Sequence, residues 1–217
     1  YLLFASYLGG AESDAALTVK LDAANGIWGG GLTQSPDFPV TTNAWSTKIH
    51  GTAYYGIYEL DGFVSHLSAD GSQLLYSTYL GGKLEEQITD LVVAPDQSIW
   101  VTGTTKSSDF PRVGSTNVFL QDWEVFVAHL SGIGPELLIS ALVGGSADDI
   151  PQTICLDGVG GAWIGGYTSS GDLPKTNAWQ SALGGGVDGF VARLRGDGVW
   201  DPVSFLGGSL YDEVRGL

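Results

Sequence analysis

The stretch LLYSTYLGG, Leu74 to Gly82, constrains this chain more than any other, because the sequence keeps returning to it. It occurs first as LLFASYLGG (Leu2–Gly10), later as LLISALVGG (Leu137–Gly145), and last as PVSFLGG (Pro202–Gly208). The Gly-Gly pairs begin at Gly9, Gly81, Gly144 and Gly207, at intervals of 72, 63 and 63 residues. An apolar run rich in β-branched and aromatic residues that ends in two glycines reads as a strand entering a tight turn. A recurring period of this length marks a repeat architecture, so the unit to be explained is one repeat.

Each repeat carries four strand-like segments. After Gly-Gly comes an acidic turn and a first strand: Ser13–Asp22, Glu86–Pro95 and Asp149–Asp157. A short turn leads to a second strand, Ile27–Thr33, Ile99–Thr105 and Ala162–Thr168, which holds Trp28, Trp100 and Trp163 at the glycine intervals. A long loop follows, opening with SPDFP (Ser35–Pro39), SSDFP (Ser107–Pro111) and SGDLP (Ser170–Pro174). The third strand is Asp61–Leu67, Glu124–Leu130 and Asp188–Leu194, and a turn returns the chain to the opening stretch as the fourth. The nine extra residues of the first repeat fall in the loop between DFP and DGFV, where a repeat fold tolerates insertion.

Four short strands per repeat without a 3.6-residue apolar period predict an all-β β-propeller of four-stranded antiparallel blades, with the first strand lining the axis. A parallel β-helix is the competing solenoid, but its rungs are much shorter than 63 residues. The order YLGG, acidic turn, strand, WVTGTT, S-x-DFP, loop, DGFVAHL, turn, LLYSTYLGG resembles the bacterial SBBP repeat, the seven-bladed β-propeller repeat family. The resemblance covers nearly the whole chain and implies a propeller scaffold, whose roles vary. Departures are Leu173 for Phe, Ala94 where the other copies have Asp22 and Asp157, and Trp200-Asp201 for Leu-Leu. The expectation is a single propeller domain over 1–217, with repeats at about 11–82, 83–145 and 146–208 and partial blade strands at 1–10 and 209–217. Three blades cannot close a ring, since propellers have at least about four. The chain therefore reads as part of a larger ring, beginning near a domain start at Tyr1 and stopping artificially at Leu217.

Composition narrows the function classes. Lys plus Arg number 9 against 24 Asp plus Glu, a net charge of −15 that repels phosphate backbones and anionic lipid, which disfavours nucleic-acid and membrane-surface binding. No apolar run reaches the roughly 18 residues that span a bilayer. The single Cys155 precludes an internal disulfide, and no Cys/His set has zinc spacing. Scarce Cys and Lys suit a secreted, cell-surface or periplasmic protein.

Loops before the first strand and between the second and third emerge on one face of a propeller. Asp14, Glu86, Asp149 and Asp212 take one equivalent position there, flanked by Glu12, Glu85, Asp148 and Glu213. One reading is a ring of carboxylates that binds Ca²⁺ or a cationic partner; the other is that each caps a turn by accepting backbone N–H bonds. Repetition in every blade favours capping, and no D-x-[DN]-x-[DN]-G calcium loop is present. Asp37, Asp109 and Asp172 read as turn residues, and Trp28, Trp100 and Trp163 as packing between blades. His66 and His129, with Arg193 as third counterpart, read as blade-face polar residues. Trp45, Trp123 and Trp179 lie in long loops, where aromatics stack on sugars, anchor partners or plug the structure. The insertion with His50, Tyr54, Tyr55 and Tyr58 belongs to one repeat alone and is the leading contact surface.

Neither a nucleophile elbow nor a zincin motif is present, and the triple glycines lack the strand–loop–helix context of a phosphate cradle. The sequence therefore predicts a non-enzymatic binding or scaffolding propeller that takes a protein partner or joins a larger assembly. A carbohydrate-active enzyme with paired carboxylates at the channel mouth, or a carbohydrate-binding propeller using the loop tryptophans, is the alternative.

Overall fold

A computed structural model describes residues 4–113 and 122–217. No helix occurs among them. Three four-stranded antiparallel sheets follow one another along the chain. Sheet I is a meander of β1 (Asp14–Leu21), β2 (Ile27–Thr33), β5 (Asp61–Leu67) and β6 (Leu74–Leu80). Sheet II holds β7 (Glu86–Val93), β8 (Ile99–Thr105), β9 (Glu124–Leu130) and β10 (Leu137–Val143) in that order. Sheet III holds β11 (Asp149–Leu156), β12 (Ala162–Thr168), β13 (Asp188–Leu194) and β14 (Trp200–Leu206). A two-stranded hairpin, β3 (Ala53–Tyr54) and β4 (Ile57–Tyr58), stands apart from them.

The sheets pack face to face. One core, with Trp28, Val64, Tyr76, Leu91, Ile99 and Phe126, lies between sheets I and II; another, with Trp100, Val127, Ile154, Ile164 and Phe190, lies between II and III. Because sheet II is covered on both sides, all seven residues of β8 are buried, as expected for a strand with no solvent face. The first strands stand side by side and are tied through Asp90 of β7. Its carboxylate accepts Thr18 Oγ1 at 3.0 Å and pairs with Lys20 Nζ at 3.0 Å on one side. On the other it accepts the Ile154 amide at 3.1 Å.

Side-chain size is matched across the first junction. A Cβ on Gly30 would stand 2.9 Å from Ile88, and one on Gly62 would stand 3.1 Å from it, so two glycines of sheet I make the hole that Ile88 fills. Val214 repeats this fit on the outer face of sheet III, 2.5 Å from a Cβ on Gly165 and 3.2 Å from one on Gly189. The Asp212 amide donates to Val187 O at 3.1 Å, as Glu86 does to Leu60 O (2.7 Å) and Asp149 to Trp123 O (2.8 Å). Residues around 212–217 thus lie where the first strand of a further sheet would start, although they have no strand of their own alongside and are not assigned as one.

The described residues of the other expected partial strand form no strand. Residues 4–10 are irregular and Tyr7 is fully exposed, because no strand lies beside them to take their hydrogen bonds; Leu2 and Leu3 fall outside the described residues. The last fourth strand is longer than its apolar run, beginning at Trp200. The insertion, read as loop, folds back as β3 and β4 through Tyr55 (φ 51°) and Gly56 (φ 84°), the paired left-handed residues of a two-residue hairpin turn.

Candidate functional site

On the face that bears the Gly-Gly turns, the repeated polar residues form one knot per sheet. Asp14, Glu86, Asp149 and Asp212 each accept the amide of the second glycine, Gly10, Gly82, Gly145 and Gly208, at 2.6–2.7 Å. The next amide goes to the loop aspartate: Ala11 to Asp37, Lys83 to Asp109 and Ser146 to Asp172, at 2.9–3.1 Å. The one after that goes to the loop serine, Ser35, Ser107 or Ser170, at 2.7–3.0 Å. Glycine is needed because a Cβ on Gly81 would overlap Asp61 and Glu86, which crowd in from adjacent sheets. All four carboxylates named as calcium ligands cap a turn, one at each Gly-Gly pair. Among the described residues no three His, Cys, Asp or Glu side chains gather in a metal-binding arrangement.

Carboxylates from adjacent sheets do meet, as the glycosidase alternative requires, but out of reach of a glycan. Asp61 and Glu86 flank Gly81, Glu124 and Asp149 flank Gly144, and all four are fully buried. Burial pushes Glu86 up to about 7 and Asp149 up to about 6, against their hydroxyl and amide donors. Burial, with the charges of Asp149, Asp172 and Asp122, pushes Glu124 up to about 9. Neither Glu124 oxygen has a hydrogen-bond partner among the described residues.

At the opposite end of the strands, cross-strand pairs stack. Trp28 lies on His66 (4.1 Å, 9°) and Trp100 on His129 (4.3 Å, 11°), while Arg193 stands over Trp163 at 5.9 Å. His66 and Arg193 are held by Asp22 (3.0 Å) and Asp157 (2.6 Å) from the first turn. In sheet II the same place holds Ala94, and His129 Nε2 meets Ser98 Oγ at 2.8 Å instead. Ser98 Oγ donates to Asp96 at 2.6 Å, so the imidazole must donate to Ser98 and cannot serve it as a base. Clefts of about 370 and 390 Å³ open beside these turns, between sheets I and II and between II and III.

The insertion is the exposed feature. Tyr54, Tyr55 and Ile57 are 71, 91 and 56% accessible, and the two tyrosines meet edge to face at 4.5 Å. Tyr58 is half-buried at its base. The loop tryptophans diverge in use. Trp45 packs against the core between sheets I and II, and Trp123 lies under Lys106 Nζ at 4.2 Å. Trp179 is 70% exposed and stacks at 6.3 Å on Trp163, on the open face of sheet III.

His50 is the site residue whose surroundings the sequence leaves unseen. Its Nδ1 stands 3.4 Å from Asp61 Oδ2 and its Nε2 3.4 Å from Ser46 Oγ, while the Trp45 ring centre lies 5.8 Å away. The hydrogen bond to Asp61 raises the imidazole pKa, partly offset by burial. Spacings of four and eleven residues, all in irregular chain or at a strand start, carry no periodic signal that could have joined Ser46, His50 and Asp61. No protein-family model matches this chain and no curated protein matches it, so its function is argued from these residues.

Proposed function

We propose that this chain is an arc of an SBBP-type β-propeller serving as an extracytoplasmic binding or scaffolding module, with the β3–β4 hairpin as its contact surface for a protein partner. The carrying observation is the concentration of Tyr54, Tyr55 and Ile57, all exposed, in one short hairpin formed by the insertion that the sequence gives to the first repeat alone. Single exposed apolar residues are ordinary, whereas a contiguous aromatic cluster marks an interaction site. Tyrosine is also among the residues that dominate binding energy at interfaces. The propeller reading is supported by the side-by-side first strands and by the outward faces of the end sheets. On sheet I, Val19 is 65% exposed where its counterparts Leu91 and Ile154 are buried. On sheet III, Trp163 lacks the cover that Trp28 and Trp100 have.

The test is capture of partners from the extracytoplasmic fraction by the protein and by a Tyr54→Ser/Tyr55→Ser variant. Each anchor is worth more than about 1 kcal/mol, so the double variant should lose at least 10-fold in affinity. Capture that is undiminished by the double variant sinks the hairpin as the contact. A second reading, carbohydrate binding, is favoured only by the Trp163–Trp179 stack, and a glycan array with Trp179→Ala decides it.

A further inference from the structure

We propose that Ser46, His50 and Asp61 form an acyl-transfer site for small carboxylic esters, with Ser46 Oγ as nucleophile, His50 as general base and Asp61 orienting the imidazole. The proposal does not rest on the hairpin as a binding surface. Its basis is the use of both ring nitrogens on opposite partners, Nδ1 towards Asp61 and Nε2 towards Ser46, each at 3.4 Å. That is the relay an activated serine requires, and such contacts are looser without substrate than in the reacting complex.

The acid is held firmly. Asp61 is fully buried and its two oxygens accept the amides of His50 (2.8 Å) and Gly51 (3.0 Å), so the backbone that carries the imidazole also fixes the carboxylate behind it. Sheet III shows what this place looks like without a base. There Gln180, the counterpart of Ser46 after the Asn-Ala-Trp motif, reaches Asp188 directly at 3.1 Å. Ser46 is too short to do so, and His50 from the insertion stands between the two. Ser46 Oγ now donates to Lys48 O at 2.9 Å. Turning the hydroxyl hydrogen towards Nε2 needs no movement of the oxygen. The His50 side chain is 38% exposed, Trp45 offers an apolar wall beside it, and the Thr47 amide donates to nothing among the described residues. The amide that follows a nucleophilic serine is a usual oxyanion donor.

In the first step Ser46 Oγ attacks the ester carbonyl carbon while its proton passes to His50 Nε2. The ester C–O bond then breaks and the proton leaves with the alkoxide as alcohol. Water, giving its proton to the same nitrogen, cleaves the acyl-serine, and the proton returns to Ser46 Oγ as the acid departs. No cofactor or oxidant is consumed. The base must be neutral, and its acidic neighbours Asp61, Glu86 and Asp109 all raise its pKa when they are ionised. Activity should therefore rise with pH through a midpoint above 6.5.

The experiment treats the protein with a fluorophosphonate probe and with p-nitrophenyl acetate, mapping the label by peptide mass spectrometry. Ser46 should carry the label, and Ser46→Ala should abolish it and return ester turnover to background. His50→Gln should slow labelling at least about 100-fold, the usual worth of a general base. Asp61→Asn removes a buried structural acceptor and can unfold the sheet, so His50→Gln with an unchanged melting temperature is the deciding variant. Label absent from Ser46, or a labelling rate on Ser46 that His50→Gln leaves unchanged, overturns the assignment.

Discussion

At Gly26, Ser98 and Gly161, one position of the first turn, residue identity follows the residue four places earlier: Asp22 with Gly26, Ala94 with Ser98, Asp157 with Gly161. A Cβ on Gly26 would overlap His66 Nε2 and the Asp22 carboxylate, and one on Gly161 would overlap Leu194 O and stand 2.7 Å from Asp157 Oδ2. At Gly26 the aspartate and the third-strand side chain it reaches leave no room for a Cβ, and in sheet II, where alanine replaces the aspartate, serine is accommodated. The exchange keeps His129 bonded, through Ser98 backed by Asp96. Gly26→Ser should therefore cost about 1–3 kcal/mol, the usual penalty of overpacking, read as a fall in melting temperature. Ala94→Asp should also destabilise, whereas Ala94→Asp with Ser98→Gly should recover most of the loss; a double variant no better than the single would refute the pairing. Ala94 was legible in the sequence as a departure from the repeat, but its compensation was not, because nothing in the spacing says which side chain Ser98 meets. Ser46, His50 and Asp61 were hidden for a related reason. Asp61 recurs in every repeat as Glu124 and Asp188, so its structural use masked its second neighbour.

Among the elements, those that recur were legible nearly to the residue, since β2, β5, β8, β9, β12 and β13 begin and end as their apolar patterns do. Where a segment needs a neighbour that pattern does not reveal, legibility fails. Residues 4–8 carry the later part of the run found in β6 and β10 yet form no strand, because strand hydrogen bonds exist only between strands. The β3–β4 hairpin was missed for the converse reason: two residues a side give no alternation to read. It joins the rest chiefly through its base, where Thr52 N donates to Lys83 O at 2.9 Å and Tyr58 O accepts Gln34 Nε2 at 3.0 Å. Gly56→Val puts a β-branched side chain at φ 84°, which costs a left-handed residue about 1–2 kcal/mol. That exceeds what a two-residue hairpin can supply, since isolated hairpins are marginal in water. The variant should become susceptible to proteolysis between 52 and 59 while its melting temperature shifts little. A large drop in melting temperature would mean that the hairpin is part of the cooperative core, contrary to its exposure.

For the molecule as a whole, the two inter-sheet junctions are where charge and packing conflict, and this sets how stability depends on pH. Asp61 with Glu86 and Glu124 with Asp149 are buried where sheets I, II and III meet, and burial favours their neutral forms. An acid with a raised folded pKa holds its proton in the native state after the unfolded chain has released it. Stability then falls as pH rises from the unfolded value towards the folded one. For Glu86 and Glu124 the fall begins near 4.5 and continues to about 7 and about 9. Asp22 and Asp157 act oppositely. Turn amides, with His66 or Arg193, lower their pKa despite burial, so their stabilisation is present above 3.8 and lost as pH falls through the lower folded values. Stability should peak between these ranges, near pH 4–5, instead of at neutral pH. At about 2–4 °C per kcal/mol for a chain of this size, the melting temperature should drop by several degrees between pH 5 and pH 9. Glu124→Gln keeps the shape and removes the titration, so its melting temperature should match the parent near pH 5 and exceed it at pH 9. A parent melting temperature that is level or rising over that interval would show that the junction carboxylates are ionised at neutral pH.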